Sequence, residues 1–226
     1  MFYCLQVARD LVVAMGVVCV AGADLSHPVA RARFETFAKG RFAWMHASWD
    51  CFSWSPALSL PPGGTGFGDV GRAPLGPYRS PTEPRGLASL APHTRARVDN
   101  SNTHLALTLR LAYDIDSRGG SVSLENSPDC RERSSPWFIA RGGFTSETQF
   151  PVWADPDVQQ YIHHTGSELI TLPISVYDSP YLGYKTFCLN RRAQATPAAA
   201  RMRSHAANGP SDGPRVKMSG RAADGR

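Results

Sequence analysis

The sequence predicts one α/β domain, and three observations carry that prediction. Apolar runs of strand length alternate with segments of helical periodicity along the first 190 residues. At 226 residues the chain is long enough for a single sizeable core. Hydrophobic residues at 42% and charged residues at 19% are the composition of a globular protein, while 20 Gly and 18 Pro imply long connections.

Taken in order, residues 11–21 are rich in Val and bounded by Gly22, and they read as a buried strand with Asp24 just past its end. The same run also fits a signal peptide over residues 1–23, although Asp10 beside Arg9 removes the positive charge such a segment carries. From Leu11 to Ala23 it is too short to span a bilayer, so no membrane partner is expected. Pro28 suits a first helical position, and Val29, Phe34 and Phe37 recur on one face until Gly40 closes the helix. A strand at 42–48 then leads into Trp49-Asp50-Cys51-Phe52-Ser53-Trp54-Ser55-Pro56, a cysteine followed by a hydroxyl-rich turn.

Between Pro56 and Pro92 the pattern breaks. Pro and Gly fill 15 of 37 positions, which predicts a functional loop or a floppy insertion rather than an element. Arg72, Arg79 and Arg85, with Phe67 and Tyr78, give it the composition of a flap that touches a phosphate backbone and stacks bases.

Val98, Asn102, Leu105, Leu109 and Ala112 recur at steps of three and four and predict a helix from Thr94 to Ser117, stopped by Gly119-Gly120. Val122 and Leu124 alternate into a strand whose end delivers Glu125-Asn126. Residues 127–154 read as irregular, anchored by Trp137, Phe144 and Trp153. Asp155-Pro156-Asp157 opens a further helix with Val158, Tyr161 and Ile162 inward and Gly166 at its end. Strands follow at 169–176 and 184–189, with 177–183 as the turn between them.

Charge is unevenly placed. Residues 191–226 hold 8 of the 24 Lys and Arg but only 2 of the 19 acids, so the net charge of +5 belongs to this stretch and the body is close to neutral. A short Arg-, Ala- and Gly-rich stretch of this kind is expected to be a disordered, solvated tail. Cys4, Cys19, Cys51, Cys130 and Cys188 are odd in number and contain no C-x-x-C, which disfavours a disulfide framework and a structural zinc site. The expected compartment is therefore intracellular, nucleus or cytoplasm, and no metal is expected, because the adjacent His163 and His164 would point to different sides of a helix.

Within this frame the ordered set Asp24, then Cys51-Phe52-Ser53-Trp54-Ser55-Pro56, then Leu124-Glu125-Asn126 resembles the cytosine-5 DNA methyltransferases, in particular their short algal and phage-like relatives. The resemblance spans about residues 17–190 and includes Arg95-Ala96-Arg97-Val98, Ser134-Ser135-Pro136-Trp137 and Ser179-Pro180-Tyr181. It implies a Rossmann-like sheet, incomplete at the amino terminus, with S-adenosylmethionine as cofactor and DNA as partner. It further implies Cys51 as nucleophile, Glu125 as the acid that meets the target base, Asn126 as its orienting partner, and Asp24 as a cofactor contact. In such chemistry a thiolate adds to carbon 6 of cytosine while a carboxyl group holds ring nitrogen 3. The base must leave the stack to be reached, and the 56–92 loop would hold the duplex open.

Two departures accompany the likeness. Asp50 stands where the family has proline, and a neighbouring carboxylate raises a thiol pKa. The family's glycine-rich turn between first strand and helix is missing, and Gly63-Gly64-Thr65-Gly66-Phe67-Gly68 follows the cysteine instead of preceding it. Weak or absent activity is the expectation, and a non-catalytic nucleic-acid-binding or mobile-element remnant that keeps the scaffold is the alternative. On the residues alone, Cys51 also reads as a small buried hydrophobe and Glu125 as a loop carboxylate. A secreted protein with residues 1–23 as its signal is a third reading.

Overall fold

The computed structural model describes residues 25, 27–49, 53–54, 77–129, 150–173, 181–182, 184–208 and 216–217. The expected strand at 11–21, Asp24, Cys51, Trp137 and Phe144 lie outside the described residues. Within them the chain forms a mixed α/β domain. Its elements are α1 (Pro28–Ala38), β1 (Trp44–Ser48), α2 (Pro92–Ser117), β2 (Ser121–Asn126), a 3-10 turn at Val152–Ala154, and α3 (Pro156–Thr165). They continue with β3 (Glu168–Pro173), β4 (Tyr181–Leu182), β5 (Tyr184–Leu189), α4 (Arg191–Gln194), α5 (Pro197–Asn208) and β6 (Val216–Lys217).

Four strands make one sheet in the order β1-β2-β5-β3. β1 and β2 are parallel, and α2 is the connection between them, as parallel pairing requires. β5 runs antiparallel to both β2 and β3, so the sheet is mixed. β4 and β6 form a separate two-stranded parallel pair.

Register divides the sheet into two faces. Met45, Ala47, Val122, Leu124 and Cys188 share one face, and they pack with Leu105, Leu109 and Ala112 of α2 and with Val158 and Tyr161 of α3. Ile170, Leu172 and Leu189 lie on the other face, under Ala193 and Ala199 of α4 and α5. Leucines such as Leu105, Leu124 and Leu172, all fully buried, each contribute roughly 2–3 kcal/mol of apolar burial.

The long helix α2 has two buried stripes. Val98, Leu105, Leu109 and Ala112 face the sheet and loop, as the periodicity predicts, while Leu107 and Leu111 pack against Ala38 and Phe34 of α1. Phe37 meets Phe42 edge to face, but Val29 is 52% exposed, so it does not belong to the apolar stripe of α1. Gly119 and Gly120 end α2 for different reasons. Gly119 takes φ +75°, a left-handed conformation, and a Cβ on Gly120 would sit 2.7 Å from the Ala43 carbonyl oxygen.

Residues 191–208, expected to be disordered, form α4 and α5 instead. The reason is Asn190, which is fully buried. Its side-chain oxygen accepts from Ala193 N at 3.0 Å, capping α4, and from Val122 N at 2.9 Å. Its amide nitrogen donates to Gly120 O at 2.9 Å and to Asp116 Oδ1 at 2.7 Å. One side chain thus ties the end of β5 and the start of α4 to β2 and α2, and small Ala residues at 193 and 199 let the helices lie on the sheet.

Candidate functional site

The register brings Ser48, the last residue of β1, opposite Glu125 on β2, and Glu125 in turn opposite Phe187 on β5. The two parallel strands therefore end at the same edge, the address at which open α/β sheets carry ligands. A carboxylate inside the sheet is costly unless partnered. Glu125 is 6% exposed, and its partner is Lys185 of β5, whose Nζ lies 2.6 Å from Oε1. The approach is that of an ion pair, because Oε1 makes no directed hydrogen bond among the described residues.

Asn126, the next residue, points to the opposite face and is 1% exposed. Its Nδ2 donates to the Trp49 carbonyl at 3.4 Å, and its Oδ1 accepts from Ser127 N at 2.8 Å. The indole of Trp153 completes the corner by donating to Ser127 O at 2.7 Å. Asn126 thus fastens the residue that follows β1 to the residue that follows β2. The structure brings Glu125 and Asn126 together at this edge, but on opposite faces.

His46 shares the face of Glu125 two pairs further from the edge, opposite Ser123. Its Nδ1 lies 3.2 Å from Ser123 Oγ, and its ring stacks with Trp44 at 6.4 Å and Phe187 at 6.2 Å. Burial lowers the pKa of His46, and the charge of Glu125 opposes that shift.

Cys51 and Asp50 lie outside the described residues, but the chain is anchored on both sides of them. Trp49 is buried on one side, Ser53 and Trp54 on the other. The second anchor is Arg79, at 1% exposure. Its guanidinium donates to Ser53 Oγ from Nη2 at 2.9 Å and from Nε at 3.2 Å, to Asn102 Oδ1 at 2.7 Å and to the Pro84 carbonyl at 2.6 Å. It also covers the Trp54 ring at 3.5 Å, and the Trp54 indole donates to Ser101 Oγ at 3.1 Å. Burial pulls its pKa down to about 9, which leaves it a cation at neutral pH.

That placement corrects the flap reading for the described part of the loop. Arg79 and Tyr78 are buried, and Arg85 pairs with Asp155 at 3.2 Å and with Asp157. These side chains hold the loop to α2 and α3 and do not face a phosphate backbone. Arg72 and Phe67 lie outside the described residues. Asp155, fully buried, caps α3 by accepting from Asp157 N at 3.0 Å, and burial raises its pKa against the lowering effect of Arg85.

Sequence reasoning missed Lys185 and His46. A signal for Lys185 was present, since a lysine within an alternating strand needs a carboxylate partner when its neighbours are buried. His46 carried none, because cross-strand stacking depends on register.

No family model, no curated protein and no solved structure matches the chain. The fold and the site define a mixed α/β domain with a buried carboxylate–lysine pair at the end of a parallel strand pair. Among the described residues no group of three His, Cys, Asp or Glu could hold a metal ion, and no helix is long and apolar enough to cross a membrane. The described residues offer no glycine-rich turn after a strand that would cradle S-adenosylmethionine, and Asp24 lies outside them.

Proposed function

We propose that the chain is a cytosine-5 DNA methyltransferase-like protein whose four strands are the carboxyl-terminal part of a Rossmann-like methyltransferase sheet. The observation that carries this reading is the pairing of buried Glu125 with half-buried Lys185, with Glu125 in register with Ser48 and so beside the strand end that precedes Cys51 by three residues in sequence. In this reading the Cys51 thiolate adds to carbon 6 of an unstacked cytosine, the electrons of the 5,6 double bond shift into the ring as Glu125, once protonated, donates to ring nitrogen 3, and after carbon 5 has been methylated it loses its proton to a base and the ring expels the thiolate. Lys185 keeps the carboxylate placed, and Asn126 fixes the two strand ends on which both groups depend. S-adenosylmethionine would supply the methyl group, with Asp24 as a contact. Asp50 beside the thiol makes transfer slow.

The test is calorimetric titration with S-adenosylmethionine, followed by transfer of labelled methyl groups to cytosine-containing DNA. Binding, with transfer abolished by Cys51→Ala and strongly reduced by Glu125→Gln, is the expected result. No binding at millimolar cofactor would sink the catalytic reading for this chain.

A non-catalytic nucleic-acid-binding protein is the second reading, and one observation favours it. Lys185 already neutralises Glu125, which gives the carboxylate a structural task that needs no base. DNA binding without cofactor binding is its expected signature.

A further inference from the structure

The face of the sheet that carries Glu125 also carries a serine–histidine pair for which methyl transfer has no use. Alternation puts His46 of β1, Ser123 and Glu125 of β2, and Lys185 and Phe187 of β5 on that one face. α4 and α5 cover its β3 and β5 part, where Ala193 and Ala199 pack on Ile170, Leu172 and Leu189. Over β1 and β2 solvent still reaches it: His46 and Ser123 are half-buried and Trp44 is 49% exposed.

Ser123 and His46 are direct cross-strand partners. With its ring proton on Nε2, the imidazole accepts the Ser123 hydroxyl proton at Nδ1 across 3.2 Å, the reach at which a base activates a nucleophile. Contacts with Trp44 and Phe187 restrict the ring. Burial lowers the pKa of His46 and so favours the neutral form, which can take a proton. The charge of Glu125 acts the other way and favours the imidazolium, the form His46 takes once the serine proton has moved. Lys185 holds that carboxylate from the β5 side. One face thus presents a hydroxyl, a base within hydrogen-bond reach of it, and a carboxylate that acts on the base through space.

We propose that Ser123 and His46 form a nucleophile–base pair that cleaves small carboxylic esters, with the exposed Trp44 ring as the contact for an apolar ester group. Ser123 Oγ bonds to the ester carbonyl carbon as its proton passes to His46 Nδ1, and the displaced π pair moves onto the carbonyl oxygen. That pair returns as the bond to the alcohol oxygen breaks, and the alcohol leaves with the proton from His46. Water then attacks the acyl-Ser123 carbonyl and gives a proton to His46. The acid departs as Ser123 recovers that proton. Neither Cys51 nor a cofactor takes part, so the pair stands independently of methyl transfer.

The experiment follows release of p-nitrophenol from p-nitrophenyl acetate by the full chain without cofactor, and locates the acetyl group by peptide mass spectrometry after an early quench. Acetyl on Ser123 is the expected result, with turnover lowered at least about tenfold in both Ser123→Ala and His46→Gln. Activity should rise with pH as His46 loses its proton. Glu125→Gln should move the midpoint of that rise to lower pH, because the charge that favours the imidazolium is gone. Circular dichroism checks that the variants fold, and Ser123→Ala removes a single half-buried oxygen. Three results would overturn the proposal: release no faster than in buffer, acetyl on Cys51 or on lysines in place of Ser123, or wild-type turnover in either Ser123→Ala or His46→Gln.

Discussion

Lys185 Nζ stands 2.6 Å from Glu125 Oε1, across the antiparallel β2–β5 ladder, and this contact allows β2 to end on a carboxylate inside the fold. Removing one partner of a buried pair strands the other charge, at about 3–5 kcal/mol for a fully buried pair. Lys185 is 32% exposed at its side chain, so water screens part of that cost and about 2 kcal/mol is expected for Lys185→Met. The double variant Lys185→Met, Glu125→Gln should recover much of the loss, because no unpaired charge remains. Urea unfolding of both single variants and the double variant measures the coupling.

Arg79→Ala is expected to cost about 3 kcal/mol, since it leaves Ser53, Asn102 and the Pro84 carbonyl without their donor and uncovers the Trp54 ring. Arg79→Lys should rescue little, because an ammonium cannot reach all three acceptors while lying flat on an indole. Thermal unfolding of the two variants decides this, and near wild-type stability in Arg79→Lys would show that charge alone is what the site needs.

Alkaline conditions should destabilise the protein through Cys188. Its thiol is fully buried, and burial pushes its pKa from an ordinary value of 9.0 up to about 12. Between those two values the unfolded thiol is ionised while the folded one keeps its proton, so stability falls as pH rises above about 9. Tyr161, whose phenol is also raised by burial, adds to the loss above its ordinary value of 10.0. Cys188→Ala should cost about 1 kcal/mol at neutral pH yet show a shallower decline across this range. Denaturation midpoints at stepped pH for both proteins provide the comparison, and parallel curves would exclude Cys188 as the source.

Asn190→Ala should cost about 3 kcal/mol or more, because it leaves Val122 N, Ala193 N and the Gly120 carbonyl without partners inside the protein. Asn190→Asp should keep the two accepted bonds and lose the two donated ones, placing it between Ala and wild type. Amide hydrogen exchange at Val122 and Ala193 reads the effect directly, as faster exchange in the alanine variant than in the aspartate variant.

The elements were legible where a single period governed the chain. The α2 periodicity, the alternation into Glu125 and the Asp155-Pro156 helix start each rest on interactions within a few residues, and the structure places these elements within about two residues of expectation. Arg79 was misread because its composition is that of a surface arginine. Only the fold supplies Ser53, Asn102 and Pro84 around it, from three separate segments. The stretch at 191–208 was misread for a similar reason, since its helices depend on Asn190 and on packing against β3 rather than on amphipathic pattern.

Local chemistry therefore determined most of this protein's elements. Periodicity set the helices and strands, Gly119-Gly120 set the end of α2, and the order of Asp24, Cys51 and Glu125 set the candidate chemistry. Tertiary structure decided what those residues meet. It made the sheet mixed, turned Glu125 and Asn126 to opposite faces, and gave Glu125 its lysine from a strand 60 residues further on. The physical reason is that propensity and capping act over one helical turn or a strand pair. Partners for buried charge are chosen by strand order and register, which no local pattern encodes.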